Sequence, residues 1–238
     1  MAMSYFYTPP KKIELSGSLA KWSIQAEQCV LVVFGFQRLA EYSNDQHQEL
    51  LIHLNRLIKK AQALDIEVIE IEEQQSFSKV AQLGELLAEK KQLIVSGMIN
   101  SPIKQLLQHI ISITPQICVV NDAVHVETKS QHLQWIQNCV EQGIHHMNTS
   151  AMIRMLELSA PTSFILSEKG ILLSIAEYLE FDILEIDPFQ DLRRYGLDSV
   201  AMVSLIGLWR ANGAHIDFES FGQNCTLSQL LPILRKDS

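Results

Sequence analysis

The sequence has no cluster of basic residues, and its formal net charge is −8 over 238 residues. Its 19 Lys and Arg are dispersed among 27 Asp and Glu. This balance disfavours binding to nucleic acid or to an anionic membrane, because both need concentrated positive charge. The apolar runs are also too short to cross a bilayer. We therefore expect neither a nucleic-acid partner nor a membrane.

Cysteine and histidine show no disulfide or metal-ligand pattern. The four cysteines are scattered without a Cys-x-x-Cys pair, and two of the eight histidines, His145 and His146, are adjacent. Adjacent side chains diverge on a helix or strand, so this pair does not chelate easily. The first residues also lack the apolar core of a secretion signal. We expect reduced buried thiols, no metal site and a cytoplasmic location.

The first part of the chain alternates strand-like and helix-like segments. Apolar, β-branched runs predict strands at 29–34, 66–71, 93–95 and 117–120. Between and after them, apolar residues at helical spacing or helix-terminal residues predict helices at 45–64, 78–91, 101–111 and 129–141. This order predicts an α/β open parallel sheet over residues 1–158.

The second part of the chain shows no alternation of strand-like and helix-like segments. The segment at 159–166 interrupts the pattern and is predicted to be a linker. Beyond it, residues 167–238 predict helices at 168–181, 199–211, 217–221 and 227–235, with a long acidic loop at 182–198. A unit of this size and pattern predicts an all-α four-helix bundle.

The most informative segment is Tyr-Gly-Leu-Asp-Ser-Val at 195–200, which resembles the phosphopantetheine attachment site of carrier proteins. The first residues of a helix expose a serine and offer backbone N–H groups to a phosphate. Gly196 permits a tight turn, Leu197 can anchor the loop, and Asp198 places negative charge beside Ser199. The sequence therefore predicts attachment of 4'-phosphopantetheine to Ser199. The simpler alternative is that Asp198 and Ser199 only cap a helix.

The helix after Ser199 carries more apolar residues than one buried face requires. Val200 and Val203, together with Phe218 and Phe221 from the next short helix, are predicted to form a docking surface for partner enzymes. The alternative is that all four side chains belong to the core.

The whole chain resembles the bifunctional isochorismatase–aryl carrier proteins of catecholate siderophore synthesis. In the carrier half the resemblance rests on 195–200, Trp209-Arg210 and Ile216-Asp217-Phe218. In the front half it rests on Tyr7, Pro9, Gly35-Phe36-Gln37, Ser96-Gly97 and Val120-Asn121-Asp122-Ala123.

The resemblance implies an aryl carrier protein of nonribosomal peptide synthesis. Ser199 would be modified by a phosphopantetheinyl transferase, and an aryl-acid adenylating enzyme would load 2,3-dihydroxybenzoate or salicylate as a thioester. The condensation domain of a nonribosomal peptide synthetase would then take the aryl group. Relatives of this fold are commonly oligomers, so a homodimer through the isochorismatase-like domain is also implied.

The front half departs from the family at its catalytic positions. Gly35 stands where the family has its catalytic Asp, and Ile103 stands near the position where thiol-using relatives have a cysteine. The segment that carries the family's lysine is shortened to about 72–92. Glycine has no proton to give, so general acid catalysis lacks its donor. We expect a shortened, degenerate isochorismatase-like domain, a pseudoenzyme rather than an enzyme.

Two other functions remain open at this point. The chain would be a bifunctional enzyme if Asp122 or His125, which follow the fourth predicted strand, still supported isochorismate hydrolysis. It would be a carrier for a non-aryl acyl or aminoacyl group if another adenylating enzyme charged it, because residues near Ser199 do not specify the cargo.

Overall fold

The protein divides into two compact units. The computed structural model describes residues 21–41, 45–72, 76–114, 116–126, 128–179 and 185–235. The first unit comprises residues 1–61 and 66–158, and the second comprises residues 62–65 and 159–238.

A five-stranded, wholly parallel sheet forms the centre of the first unit, and it confirms the predicted α/β open sheet. The strand order is β2-β1-β3-β4-β5. The strands are β1 Cys29–Phe34, β2 Glu67–Ile71, β3 Gln92–Met98, β4 Gln116–His125 and β5 His145–Met147. All six residues of β1 are buried, as expected for a central strand covered on both faces.

In the described part of the first unit, six α-helices accompany the sheet, and a 3-10 helix, Ala26–Gln28, precedes β1. The α-helices are α1 Phe36–Glu41, α2 Asp45–Ala63, α3 Ser76–Lys90, α4 Ser101–Ile113, α5 Lys129–Glu141 and α6 Thr149–Ser159. The chain moves across the sheet in opposite directions from β1 to β2 and from β3 to β4. Right-handed crossovers therefore place α2 and α4 on opposite faces. Helices α3, α4 and α5 share one apolar core with the strands.

The sequence did not predict the short helix α1, the strand β5 or the helix α6 of this unit. The edge strand β5 has only three residues, all half-buried and two of them His, so it lacks the apolar pattern of a strand. Helix α6 follows at once and buries Thr149, Met152 and Leu156. Strand β4 continues to His125, five residues beyond its predicted end.

In the second unit the described residues form helices and no strand. These are α7 Thr162–Ile165, α8 Glu168–Ala176, a 3-10 helix Leu192–Tyr195, α9 Ser199–Ala211, α10 Phe218–Gln223 and α11 Leu227–Arg235. Trp209 and Phe221 are the largest fully buried side chains here. The indole N–H of Trp209 donates to Ser174 Oγ at 3.3 Å, which joins α9 to α8.

The predicted linker at 159–166 is folded. It contains the end of α6 and all of α7, and Ile165 and Leu166 are buried. Gly170 of α8 lies so close to this segment that an added Cβ would come within 2.0 Å of the Phe164 carbonyl oxygen. The turn from α7 to α8 is therefore a packed part of the second unit.

Among the described residues, no helix is long and apolar enough to cross a membrane.

Candidate functional site

Ser199 is the first residue of α9, and its side chain is exposed. The residue before it, Asp198, is the N-cap: its Oδ1 accepts a hydrogen bond from the backbone N–H of Ala201 at 2.8 Å. Hydrogen bonding within the helix begins with the N–H of Met202, which donates to the Asp198 carbonyl at 3.0 Å. The N–H groups of Ser199 and Val200 precede that bond, so they have no acceptor within the helix.

The turn before Ser199 is fixed by Gly196 and Leu197. Gly196 ends the 3-10 helix in the left-handed conformation, with φ of 100°, which is the region that favours glycine. Leu197 follows with only 2% of its surface exposed, and its N–H donates to the Leu192 carbonyl at 3.3 Å. A buried leucine thus anchors the chain two residues before the exposed serine.

The described part of the preceding loop is tied to the rest of the unit. The N–H of Leu192 donates to the Cys225 carbonyl at 2.9 Å, and the N–H of Ser228 donates to the Pro188 carbonyl at 3.0 Å. Asp191 caps the 3-10 helix and accepts a hydrogen bond from Arg193 Nε at 2.9 Å. The Arg193 side chain holds the pKa of this carboxyl at about 2, below its usual 3.8.

Three of the four predicted docking residues are exposed. Val200 is 71% exposed, Val203 59% and Phe218 49%. Val200 and Val203 are three residues apart on α9 and therefore share one side of the helix. We call Val200, Val203 and Phe218 the docking face.

The prediction for Phe221 is wrong. Its side chain is fully buried, and its ring lies 5.5 Å from the ring of Trp209. Phe218 and Phe221 are the first and fourth residues of α10, and only Phe221 packs into the core. Conversely, Phe189 is 79% exposed in the loop before the site and was not predicted, because no periodic pattern marks an exposed residue in a loop.

Gly35 and Ile103, which are interpreted from the sequence as degenerate catalytic positions, both lie near the carboxyl ends of strands in the first unit. Gly35 follows β1 with φ of 64°, and an added Cβ would come within 3.3 Å of Met98 Cβ. Ile103 is buried in the core near the start of α4, and its backbone N–H donates to Asn100 Oδ1 at 3.1 Å. Ile103 therefore contributes apolar packing at the carboxyl edge of the sheet.

Asp122 has a structural partner. Its Oδ1 accepts hydrogen bonds from the backbone N–H and the hydroxyl of Thr149, both at 2.7 Å. Its Oδ2 lies 3.7 Å from Nδ1 of His53. His125, at the end of β4, is 4% exposed. Both of the alternative catalytic candidates are therefore buried, and Asp122 is engaged at the start of α6.

The three cysteines of the first unit, Cys29, Cys118 and Cys139, are free thiols with buried side chains. Burial raises the pKa of Cys29 and of Cys139 to about 12 and raises that of Cys118 well above its usual value. In the described part of the chain, no group of three or more His, Cys, Asp or Glu could hold a metal ion.

Tyr7 and Pro9, which contribute to the family resemblance, lie outside the described residues.

Comparison with known proteins does not assign the chain to a family. No protein-family model matches it, and no curated protein matches it significantly.

Proposed function

We propose that the chain is an aryl carrier protein of nonribosomal siderophore synthesis. In this proposal, 4'-phosphopantetheine is attached to Ser199 and holds 2,3-dihydroxybenzoate or salicylate as a thioester. The observation that carries the proposal is the exposed hydroxyl of Ser199 at the first position of α9, directly after a turn anchored by buried Leu197.

The residues present fit a phosphodiester on Ser199. Its oxygens would lie at the N-terminus of a 13-residue helix, near the N–H groups of Ser199 and Val200. Free N–H groups and the helix dipole both favour negative charge at that point. Asp198 already satisfies the N–H of Ala201, so modification of Ser199 does not require the helix cap to open. When bound, the group supplies the terminal thiol on which the acyl cargo is held.

In this proposal the docking face contacts the partner enzymes. The docking face beside Ser199 would contact the phosphopantetheinyl transferase, the adenylating enzyme and the condensation domain in turn. Its exposed Val200 and Val203 give these enzymes an apolar surface next to the reacting group. Holding the cargo on a tether beside this surface raises its effective concentration at each docked enzyme.

In this proposal the first unit is a non-catalytic isochorismatase-like domain. Gly35 supplies no acid, and Asp122 is engaged by Thr149. These contacts disfavour the bifunctional-enzyme alternative. The non-aryl carrier alternative differs only in cargo, which the adenylating enzyme selects.

Intact-mass measurement tests the proposal. The wild type, Ser199→Ala and the control Ser204→Ala are incubated with coenzyme A and a broad-specificity phosphopantetheinyl transferase. Ser204 is a suitable control because it is also exposed on α9, and its hydroxyl donates to the Val200 carbonyl. One phosphopantetheine adduct on the wild type and Ser204→Ala, and none on Ser199→Ala, is expected.

Absence of an adduct on the wild type would refute the carrier function and leave Asp198 and Ser199 as a helix cap. With the adduct in hand, aryl-acid and amino-acid adenylating enzymes are compared for loading. Loading with an amino acid but with neither aryl acid would replace the aryl assignment by the non-aryl one.

A further inference from the structure

A cavity of about 180 Å³ opens between α4 and α5 in the first unit. Its floor is the sheet, where Val95, Ile117 and Val119 are each at most 2% exposed. Leu107 of α4 and Cys139 of α5 form buried parts of its walls. Water gains few hydrogen bonds on such a surface, so an apolar ligand would be favoured over water there.

The mouth of the cavity differs from its floor. Trp135 and Ile111 are half-buried there, and Lys104 lies at the rim. The amides of Asn138 and Gln142 from α5 add further hydrogen-bonding groups. None of the described residues lining the cavity is acidic, so its one formal charge is the positive charge of Lys104.

The size of the cavity limits what can enter. An engineered cavity of about 150 Å³ lined by aliphatic and aromatic residues binds benzene, whereas drug-sized ligands occupy pockets of roughly 300 Å³ or more. A volume of about 180 Å³ therefore encloses one six-membered ring with a small substituent, whereas two fused rings or a nucleotide would extend beyond it.

We infer that the cavity between α4 and α5 binds a small, single-ring carboxylate. The ring packs on the aliphatic floor beside Trp135, and the carboxylate lies at the rim, where the ammonium group of Lys104 and the amides can reach it. This site lies in the first unit and involves none of the residues around Ser199, so it is independent of the proposed carrier function.

The inference is tested by titrating the intact, isotope-labelled chain with benzoate and following amide resonances by NMR. Benzyl alcohol is the neutral probe, benzylammonium the cationic one and 2-naphthoate the two-ring one. We expect saturable shifts of the lining residues with benzoate, weaker binding of benzyl alcohol and of 2-naphthoate, and no saturable shift with benzylammonium.

Three variants locate the site. Lys104→Met keeps the aliphatic stem and should weaken benzoate binding about tenfold, which corresponds to loss of one charge-assisted contact. It should change benzyl alcohol binding less than about twofold, because that probe has no charge to lose. Lys59→Met, on exposed α2 surface outside the cavity, is the matched control and should bind benzoate as the wild type does. Cys139→Met fills the cavity and should abolish binding of both probes.

The inference fails if benzoate shifts none of the lining resonances saturably, or if its affinity is the same in Lys104→Met as in Lys59→Met. Should Cys139→Met not fold, the comparison of the two lysine variants decides alone, since neither lysine belongs to the apolar core. Phosphopantetheine loading of Ser199 is unaffected by any of these results.

Discussion

Asp122 holds Thr149 through two hydrogen bonds to a single carboxylate oxygen, each 2.7 Å long. Both residues are buried. The contact links β4 to the first residue of α6, 27 positions later in the chain. It gives the buried N–H at the start of α6 an acceptor that the helix itself does not supply. Asp122 thus supplements, from another element, the N-cap of α6, which is Asn148 and accepts a hydrogen bond from the N–H of Ala151 at 2.8 Å.

Replacing Asp122 should therefore affect stability. Asp122→Ala leaves the N–H and hydroxyl of Thr149 buried without their acceptor and should lower the free energy of unfolding by about 2 kcal/mol. Asp122→Asn keeps an oxygen at the same place and should cost less. Urea denaturation followed by circular dichroism measures both. Equal stability of Asp122→Ala and the wild type would show that the contact contributes nothing.

Asp198 combines capping with negative charge beside Ser199, and two variants separate these roles. Asp198→Ala should lower stability by about 1 kcal/mol, because the N–H of Ala201 loses its acceptor. Asp198→Asn should preserve stability, since Asn caps as well as Asp. If the transferase recognises the charge, both variants should accept phosphopantetheine severalfold more slowly. Transfer to Asp198→Asn at the wild-type rate would instead assign Asp198 to capping alone.

Phe218 and Phe221 lie three residues apart on α10 but should respond very differently to truncation. Phe221→Ala removes a fully buried ring packed against Trp209 and should cost about 3–5 kcal/mol of stability. Phe218→Ala removes a ring that is 49% exposed and should cost less than about 1 kcal/mol. Thermal and urea unfolding measure the difference. Similar losses for the two variants would contradict the assignment of Phe218 to the surface.

This pair also shows what the sequence could and could not predict. Local patterns sufficed for β1, where six consecutive apolar residues indicate a strand covered on both faces. They sufficed for the start of α9, because the preference of Asp for an N-cap depends only on neighbouring backbone. They failed for Phe221, whose burial depends on Trp209 of another helix. A six-residue helix such as α10 is too short to show which side is apolar.

The other features that the sequence did not predict also depend on tertiary contacts rather than on local patterns. Strand β5 consists of His145–Met147 and pairs with β4 at the edge of the sheet, so its position depends on tertiary contacts rather than on apolar sequence. The role of Asp122 depends on where α6 begins. The α4–α5 cavity has no sequence signal at all, because it exists only where two helices leave part of the sheet uncovered.

Gly97 and Gly143 both have positive φ, at 92° and 76°, but only Gly97 is crowded. A Cβ on Gly97 would lie 2.1 Å from the Phe34 carbonyl oxygen, whereas one on Gly143 meets no atom within 4 Å. Gly143→Ala should cost about 1 kcal/mol for the left-handed backbone. Gly97→Ala should cost at least about 3 kcal/mol or prevent folding, because β1 and β3 must separate. Soluble yield and urea unfolding distinguish the two, and equal stability of the variants would contradict the close approach of these strands.

The Asp191–Arg193 contact predicts how the loop before Ser199 responds to acid. The pKa of Asp191 is lowered to about 2, chiefly by the hydrogen bond from the Arg193 side chain. A lowered pKa means that the folded state favours the ionised carboxylate, so its contribution is fully present above the unfolded value of about 3.9. That contribution is lost as the pH falls from about 4 through 2.

NMR titration of the Asp191 carboxyl carbon checks this prediction. Arg193→Gln should return the pKa of Asp191 towards 3.8, because the chief cause of the lowering is removed. Arg194→Gln, the adjacent control, should leave it low, since the hydrogen bonds that lower the pKa of Asp191 come from Arg193 and Cys225. A pKa near 3.8 in the wild type would mean that the ion pair does not persist in solution. The loop would then be held by the backbone bonds of Leu192 and Ser228 without help from charge.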